Sequence, residues 1–307
     1  MANPRWSASR FGTFKGCKNK YNIVYIKELV VSGRESPLAA KGLSFHEIAE
    51  WMDSSKTLRG LTTFAKKKLK DATFDQEKYP IIKAIPRFYY WWQDYIKKYE
   101  EQGFELFREN WEYGKIDEHN VIGAIDVLLI NPKTKEVKIV DYKTSSQAKL
   151  NGYENQLLLY VYLLSKRLKI KEEDITKKIE TYGFFPLAGL KDEELSDPEI
   201  AKKMMMKNMK QLVYTIEDVD NALKEFRDII KESDNTDWEN IDPKEAATMS
   251  FACSFCDACG HQLLCPISYQ AGLRFPRKAK IHLKSDKKLE SPITQEQLKE
   301  MFNKSSN

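Results

Sequence analysis

The chain of 307 residues is long enough for one large domain or two small ones, and its hydrophobic fraction of 42% can supply a substantial core. Charged residues make up 31%, the net charge is only +5, and the longest uninterrupted apolar run, Leu157–Leu164, is far shorter than a bilayer span. Because residues 1–6 also lack the apolar segment of a secretory signal, the sequence excludes membrane and secreted classes and predicts an intracellular, cytoplasmic globular protein.

The first third of the sequence, to about residue 105, is predicted to be mostly helical. Ser44 is suited to cap a helix that runs to Met52, with Glu47 completing a capping box. The aromatic-rich stretch 86–101 predicts a second, buried helix with Pro86 at its first position. His46 lies on the first of these helices, where a histidine is by residue type more often a surface or satisfied core side chain than a ligand.

A β-hairpin is predicted next. Residues 121–130 are apolar and β-prone, residues 131–136 have turn composition, and residues 137–144 alternate as a second strand. The elements predicted after the hairpin are a helix at 152–168, a strand at 179–187, a charged and Met-rich insertion at 191–209, and an amphipathic helix from Thr215 to Lys231.

The hairpin carries two aspartates and a lysine. If it turns symmetrically about Lys133–Thr134, Asp126 lies directly opposite Asp141, and Lys143 lies on the same face. Two ionised carboxylates at this separation repel each other, so they need a shared proton or a cation such as Mg²⁺ or Mn²⁺. The alternative is that Lys143 neutralises Asp141 while Asp126 finds a backbone partner.

The helix after the hairpin adds a further pair. Gln156 and Tyr160 are four residues apart and therefore lie on one face of that helix, immediately after the second strand. Their position favours a polar site that the helix shares with the hairpin.

Together these residues resemble the PD-(D/E)xK nuclease superfamily, and within it the RecB-like branch with an iron–sulfur cluster. The matching motifs are Gly42-Leu-Ser-Phe-His46, Gly123-Ala-Ile-Asp126, the D/E-x-K element Asp141-Tyr142-Lys143, the helix motif of Gln156 and Tyr160, and an N-terminal element from Ser7 to Tyr21. The resemblance covers residues 7 to about 266, and the insertion, an extra cysteine and a basic tail depart from it. It implies an α/β fold with a restriction-endonuclease-like core, in which helices flank a mixed central sheet.

The resemblance also implies a function, that of a metal-dependent DNA exonuclease. It assigns metal binding to His46, Asp126, Asp141 and the backbone carbonyl of Tyr142, and catalysis or bracing to Asp126, Asp141, Lys143, Gln156 and Tyr160. The implied substrate is DNA that is single-stranded or has free ends. The implied setting is DNA recombination, repair or phage DNA metabolism in a bacterial or phage-infected cell, with a helicase or recombinase as partner.

Four of the five cysteines crowd into residues 253–265, and clustered cysteines in a reducing compartment hold metal more often than they form disulfides. The resemblance implies a 4Fe–4S cluster that staples the two ends of the chain, with the ligands Cys17, Cys256, Cys259 and Cys265. Cys253 and Cys256 form a competing C-x₂-C pair. Thiolate chemistry by itself allows zinc equally well.

A single nuclease domain is expected over residues 1–284. Its expected parts are a helical N-terminal part at about 22–105, a catalytic core at about 105–190, and a C-terminal helix with the cysteine cluster at about 211–266. Residues 285–307 are expected to form a polar, poorly ordered tail. The basic block 274–288 is either a footprint for polyanions or a solvated tail.

Two other functions are open. A non-catalytic nucleic-acid-binding protein would keep a structural metal–cysteine site of zinc or iron–sulfur and an inert acidic pair. An iron–sulfur oxidoreductase is disfavoured because the sequence has no flavin or nicotinamide fingerprint.

Overall fold

The structure is a computed structural model, which describes residues 5–32, 37–70, 75–190, 197–247 and 280–283. The helices are α1 (Ala8–Gly16), α2 (Lys18–Tyr21), α3 (Pro37–Trp51), α4 (Leu58–Lys68), α5 (Asp75–Trp91), α6 (Lys97–Glu101), α7 (Glu154–Leu168), α8 (Ile175–Lys178), α9 (Pro198–Asn208), α10 (Ile216–Asn235) and α11 (Pro243–Ala246). The strands are β1 (Trp6–Ser7), β2 (Leu29–Ser32), β3 (Glu105–Ile116), β4 (His119–Ile130), β5 (Val137–Tyr142), β6 (Ile179–Phe184), β7 (Met209–Leu212) and β8 (Lys280–Leu283). Two π-helical turns, Asn22–Ile26 and Trp92–Ile96, and one 3₁₀ turn, Glu172–Asp174, complete the described elements.

The chain divides into two compact units. The first contains Arg5 and the described residues from Pro37 to Lys224. The second contains the described residues from Trp6 to Ser32 and those from Glu225 onward. No helix in the described part of the chain combines the length and the apolar character that a membrane crossing requires.

The first unit is built on a mixed sheet in the order β3-β4-β5-β6-β7. Strands β3, β4 and β5 pair antiparallel, β5 and β6 pair parallel, and β6 and β7 pair antiparallel. A parallel pair needs a crossover connection, and α7 lies on that connection between β5 and β6. All six residues of β5 are buried, as expected for a strand covered on both faces. The predicted α/β fold with helices flanking a mixed sheet is therefore confirmed.

Two glycines let α7 approach the sheet closely. A Cβ on Gly123 of β4 would lie 2.8 Å from the Tyr160 ring, and one on Gly114 of β3 would lie 2.5 Å from a methyl carbon of Leu163. Both distances are shorter than van der Waals contact, so any larger residue would push α7 outward. The absence of side chains at these two positions sets the height of Tyr160 above the sheet.

An apolar cluster of this unit lies between the sheet and the helices α3 and α5. Phe45 and Phe88 meet edge-to-face at 5.4 Å, and Trp91 stacks on Phe184 at 4.6 Å. Aromatic pairs in these geometries add to the stabilisation from burial alone. The aromatic stretch after Pro86 is thus part of the core, as its composition indicates.

Two predicted helix starts are wrong. Helix α3 begins at Pro37, so Ser44 and Glu47 lie inside it rather than at its N-terminus. Helix α5 begins at Asp75, so Pro86 is internal, as is Pro80. An internal proline removes one backbone hydrogen bond, and here the buried side chains on either side of Pro86 hold the helix together across it. Packing overrides the local start signals in both cases.

The described residues of the stretch 191–209 pack against the rest of this unit. Asp197 caps α9, and Met204 and Met205 of that helix are buried. The Asn208 amide donates to the carbonyls of Phe185 and Ala188, and β7 then pairs with β6. This helix therefore contributes Ala201, Met204 and Met205 to the core of the unit, while Met206 of the same run is exposed. That the stretch is an insertion relative to the family pattern stays a prediction.

Several other boundaries agree with the sequence. The hairpin strands, α7 and β6 lie where they were predicted, within a few residues. The start of α10 is capped reciprocally, since the Thr215 hydroxyl accepts from the Asp218 amide and the Asp218 carboxylate accepts from the Thr215 amide at 2.7 Å. This exchange is a capping box in which an aspartate takes the place of the usual glutamate or glutamine.

The second unit is a small aromatic cluster built around Tyr21. The Arg10 guanidinium donates to the Tyr21 hydroxyl at 2.8 Å, Phe11 stacks on Phe226, and β2 pairs antiparallel with β8. Cys17 is buried in this unit between α1 and α2, and its Sγ accepts from the Lys20 amide at 3.4 Å. Cys253, Cys256, Cys259 and Cys265, the tail 285–307 and all but 280–283 of the basic block lie outside the described residues.

Candidate functional site

The register of the hairpin is the one expected from symmetry about Lys133–Thr134. Four pairs, from Val127 opposite Val140 to Ile130 opposite Val137, follow it without a shift. The next positions along the two strands are Asp126 and Asp141. The two aspartates therefore sit side by side where the β4–β5 ladder ends, and both are buried, at 7% and 3% exposure.

Asp126 is held by both of its oxygens. Its Oδ2 accepts from the Tyr142 amide at 2.5 Å, which ties it to β5. Its Oδ1 lies 3.1 Å from Nδ1 of His46, which α3 carries toward the sheet. A buried carboxylate needs such partners, because desolvation of the charge is otherwise too costly.

A third carboxylate, Glu109, joins this pair, and the sequence did not predict it. It lies on β3 directly across from Asp126, since Arg108 pairs with Val127 and Asn110 pairs with Ile125 on either side. The ladder is interrupted at this one position, where Glu109 has a left-handed backbone with φ 44°. A residue other than glycine adopts that conformation at a cost, typically about 1–3 kcal/mol, and such strain concentrates at functional sites.

Three neighbouring strands thus contribute one carboxylate each, in the lateral order Glu109, Asp126 and Asp141. His46 faces the first two, with Nδ1 at 3.5 Å from Glu109 and 3.1 Å from Asp126. One ligand atom from each of His46, Glu109 and Asp126 lies within 4.8 Å of the others.

These three residues fit a divalent cation. Two carboxylates favour a hard cation such as Mg²⁺ or Mn²⁺, and an imidazole ligand widens the choice toward transition metals. The cluster is also electrostatically poised for one. Burial alone would lower the pKa of His46, but its hydrogen bonds to Asp126 and Glu109 and their negative charges outweigh burial and raise it to about 10. Without a metal, a protonated His46 supplies positive charge at the position where these ligand atoms converge.

The second part of the site is a polar network around Asp141. Lys143 Nζ lies 2.5 Å from Asp141 Oδ2 and donates to Gln156 Oε1 at 2.8 Å. Gln156 Nε2 donates to Asp141 Oδ1 at 3.0 Å and to the Tyr160 hydroxyl at 2.6 Å. The Tyr160 hydroxyl in turn donates to the Ala124 carbonyl at 2.5 Å. Four side chains from β5, the segment after it and α7 are therefore linked in one chain of hydrogen bonds.

Burial raises the pKa of both acidic groups of this network. It raises the pKa of Asp141 to about 6 against the lowering effect of Lys143. It also raises the pKa of the Tyr160 hydroxyl, which stays protonated and able to donate.

The structure brings all seven predicted residues of the nuclease site together, but it divides them into two groups. His46 and Asp126 belong to the potential metal group with Glu109. Asp141 is engaged by Lys143 and Gln156 instead, which matches the alternative in which Lys143 neutralises it. Tyr142 contacts Asp126 through its amide, and the role of its carbonyl stays a prediction.

A mixed sheet with acidic residues on adjacent strands, a following lysine and a bracing helix is consistent with a restriction-endonuclease-like core. A family model described as the PD-(D/E)XK nuclease superfamily matches residues 5–266. The chain belongs to that superfamily, whose members are nucleases that use divalent metals.

Other comparisons add little. No curated protein matches the chain. Among solved structures, a presumed exonuclease from Eubacterium rectale is 14% identical, with 71% of this chain and 82% of the other chain covered and a TM-score of 0.37. A resemblance this distant does not bear on the activity.

Proposed function

We propose that the protein is a metal-dependent DNA exonuclease. The observation that carries the proposal is the convergence of Glu109, Asp126 and His46 beside the ion pair of Asp141 and Lys143. A purely structural role does not require three carboxylates to be gathered on adjacent strands, since each adds desolvation cost and repulsion.

His46, Glu109 and Asp126 would hold Mg²⁺ or Mn²⁺, and Asp141, the next carboxylate along the sheet, would join them. A divalent cation lowers the pKa of water and offsets the charge that develops on phosphate oxygens. The carboxylates would fix the position of the cation, because backbone and side-chain hydrogen bonds hold them in place before the substrate binds.

Lys143 would act on the phosphate that is cleaved. Its ammonium group is held by Asp141 and Gln156 and lies 4.3 Å from the centre of the Tyr153 ring, so its direction is set in advance. A preorganised cation stabilises a transition state without the cost of reorganising water. Lys143 would therefore orient the attacking water and offset negative charge on the reacting phosphate.

Gln156 and Tyr160 would be positioning residues. Gln156 bridges Lys143 and Asp141, and Tyr160 anchors Gln156 to the backbone of β4 at Ala124. Gly123 leaves room for the Tyr160 ring to lie against β4. The close packing of α7 on β4 therefore holds Tyr160, and through it Gln156, in place.

The substrate would be DNA that is single-stranded or has free ends, with a helicase or recombinase as partner in DNA repair, recombination or phage DNA metabolism. The rival function is non-catalytic binding of nucleic acid. The Asp141–Lys143 pair favours it, because this contact neutralises Asp141 without a metal.

Metal dependence and the need for DNA ends test the proposal directly. Purified protein should shorten linear single-stranded DNA with Mg²⁺ or Mn²⁺, should lose this activity in EDTA, and should leave circular single-stranded DNA intact. Gel analysis of both substrates under the three conditions makes the measurement. Cleavage of circular DNA would identify the protein as an endonuclease. The absence of cleavage under every condition would favour non-catalytic binding of nucleic acid.

We further propose that Cys17, Cys256, Cys259 and Cys265 hold a 4Fe–4S cluster, with zinc as the alternative metal. The support is the resemblance to the RecB-like branch, together with the burial of Cys17. Closing a loop of this length costs roughly 5 kcal/mol of chain entropy. A metal–thiolate site can offset that cost, since structural zinc sites bind with about 10–16 kcal/mol.

Iron analysis of two matched serine variants tests this ligand set. Cys17→Ser should lose the iron and the brown colour and should unfold at a lower temperature, because the bond from the N-terminal segment to the cluster is lost. Cys253→Ser should keep its iron. If the Cys253 variant loses its iron while a Cys259 variant keeps it, Cys253 is a ligand and Cys259 is not. If the wild type contains zinc and no iron, the site holds zinc and not an iron–sulfur cluster.

A further inference from the structure

We propose that Trp111 and Tyr113 form a stacking surface for unpaired bases, which gives the protein a preference for single strands beside its metal site. This inference rests on the proposed nuclease function and extends it to the class of substrate. Trp111 and Tyr113, the aromatic pair of β3, are 56% and 59% exposed. Large aromatic side chains are seldom left so open, and an exposed group of them marks a binding surface.

The two rings project from the same face of β3. Glu112, which lies between them, is buried and forms an ion pair with Arg167 of α7 at 3.1 Å. Side chains alternate along a strand, so Trp111 and Tyr113 point away from α7. The face that α7 leaves uncovered therefore presents two adjacent aromatic rings.

One ring of the aromatic pair, that of Trp111, shares a cleft with a residue of the metal site. Trp111 and Glu109 line one open cleft of about 630 Å³, together with Phe107 and Arg108. Glu109 is two residues from Trp111 on the same strand, and its carboxylate lies 3.5 Å from His46. A nucleotide whose phosphate reaches the carboxylates would thus have its neighbouring base within reach of the Trp111 ring.

The spacing of the two positions along the strand favours an unpaired nucleic-acid strand. Residues two apart on a strand are separated by about 6.7 Å, twice the rise of about 3.4 Å between successive nucleotides of one strand in B-DNA. Consecutive bases in a duplex are stacked on each other and cannot each lie on a separate ring at this spacing. A single strand can spread its bases, and aromatic rings bind such bases with little sequence preference.

A positive charge accompanies the rings. The Arg5 guanidinium lies 5.6 Å from the centre of the Tyr113 ring, where it would also meet the backbone of a strand passing over that ring. Stacking on aromatic rings combined with a nearby cation is the usual composition of single-strand binding grooves.

Binding and cleavage by the full-length protein test the inference. The variants are Trp111→Ala and Trp111→Phe, and Tyr79→Ala is the matched control because Tyr79 is 61% exposed on α5, away from the cleft lining. The probes are fluorescein-labelled oligo(dT), an abasic strand of equal length, and a blunt duplex. Trp111→Ala should weaken oligo(dT) binding and raise the KM on it by roughly 5- to 100-fold, while kcat, the salt slope and the affinity for the other probes change little.

Trp111→Phe should recover most of the oligo(dT) affinity, since it keeps a π face, and Tyr79→Ala should behave as wild type. Equal losses on oligo(dT) and on the abasic strand would mean that Trp111 does not stack on bases, and an unchanged oligo(dT) affinity would assign the aromatic pair to another partner. Either result overturns the inference even if wild-type protein cleaves DNA. If wild type cleaves nothing but the variants bind as expected, the proposed nuclease fails and the stacking surface stands.

Discussion

Asp126→Asn should lower kcat on linear DNA by at least about 10³-fold. Asp126 is the carboxylate that both His46 and Glu109 approach, so in the proposed site its loss would leave a bound metal without its central ligand. Metal ions supply several kcal/mol of transition-state stabilisation, and each 1.36 kcal/mol changes a rate tenfold. Initial rates at saturating DNA with Mg²⁺ and with Mn²⁺ make the measurement.

The same substitution should leave the metal-free protein as stable as wild type or more so. Asparagine can still accept a hydrogen bond from the Tyr142 amide, and removal of one charge relieves repulsion toward Glu109 and Asp141. The protonated His46 keeps Glu109 as its ionic partner. Thermal unfolding in EDTA checks this. Glu112→Gln is the matched control, because Glu112 is also buried on the neighbouring strand but pairs with Arg167, away from the metal group. Wild-type turnover in Asp126→Asn would remove this residue from the site.

The sequence predicted the aspartate pair well because the hairpin is regular. A short polar turn between two β-prone runs sets the register, and the register alone determines which residue faces Asp126. Strand alternation placed Lys143 on the same face, and helix spacing placed Gln156 and Tyr160 together. Only the resemblance to a family connected His46 with these residues. The hydrogen bonds of Gln156 and Tyr160 could not be predicted, because they depend on how closely α7 packs on Gly123.

Glu109 was missed for a local reason. Its strand is polar and carries exposed aromatic residues, so it lacks the apolar alternation that identifies a half-buried strand. A signal did exist. A hairpin that turns about Asp117–Glu118 places Glu109 opposite Asp126, just as symmetry about the next turn places Asp141 there. The left-handed backbone at Glu109 has no such signal, because nothing in a glutamate indicates a positive φ.

Lys143→Met is expected to lower kcat by about 10²- to 10³-fold, the usual effect of removing one preorganised donor from a transition state. It should also destabilise the protein, since removal of one partner from a buried ion pair costs about 3 kcal/mol or more when the remaining charge stays ionised. The variant is therefore expected to lose both catalytic rate and stability, and a slower rate could follow from either loss.

The pH dependence of stability separates them. Asp141 already has a raised pKa of about 6, and without Lys143 that pKa rises further. A carboxyl group whose pKa in the folded state exceeds its unfolded value of about 3.9 lowers the free energy of unfolding only above about pH 4. Below that pH the group is protonated in both states and the penalty is absent. The cost then grows with pH until the folded group ionises. The stability deficit of Lys143→Met should thus be small near about pH 4 and large at neutral pH, and the double variant with Asp141→Asn should remove it without restoring cleavage.

Lys138→Met provides the matched control for this prediction. Lys138 lies on β5 as well, forms an ion pair with Glu180 at 2.5 Å, and contacts neither Asp141 nor Gln156 in the described contacts. Its replacement should reduce stability and leave kcat near the wild-type value. If Lys143→Met also retains kcat while losing stability, Lys143 serves only to neutralise Asp141, because a cation that acted on the reacting phosphate could not be removed without slowing its cleavage.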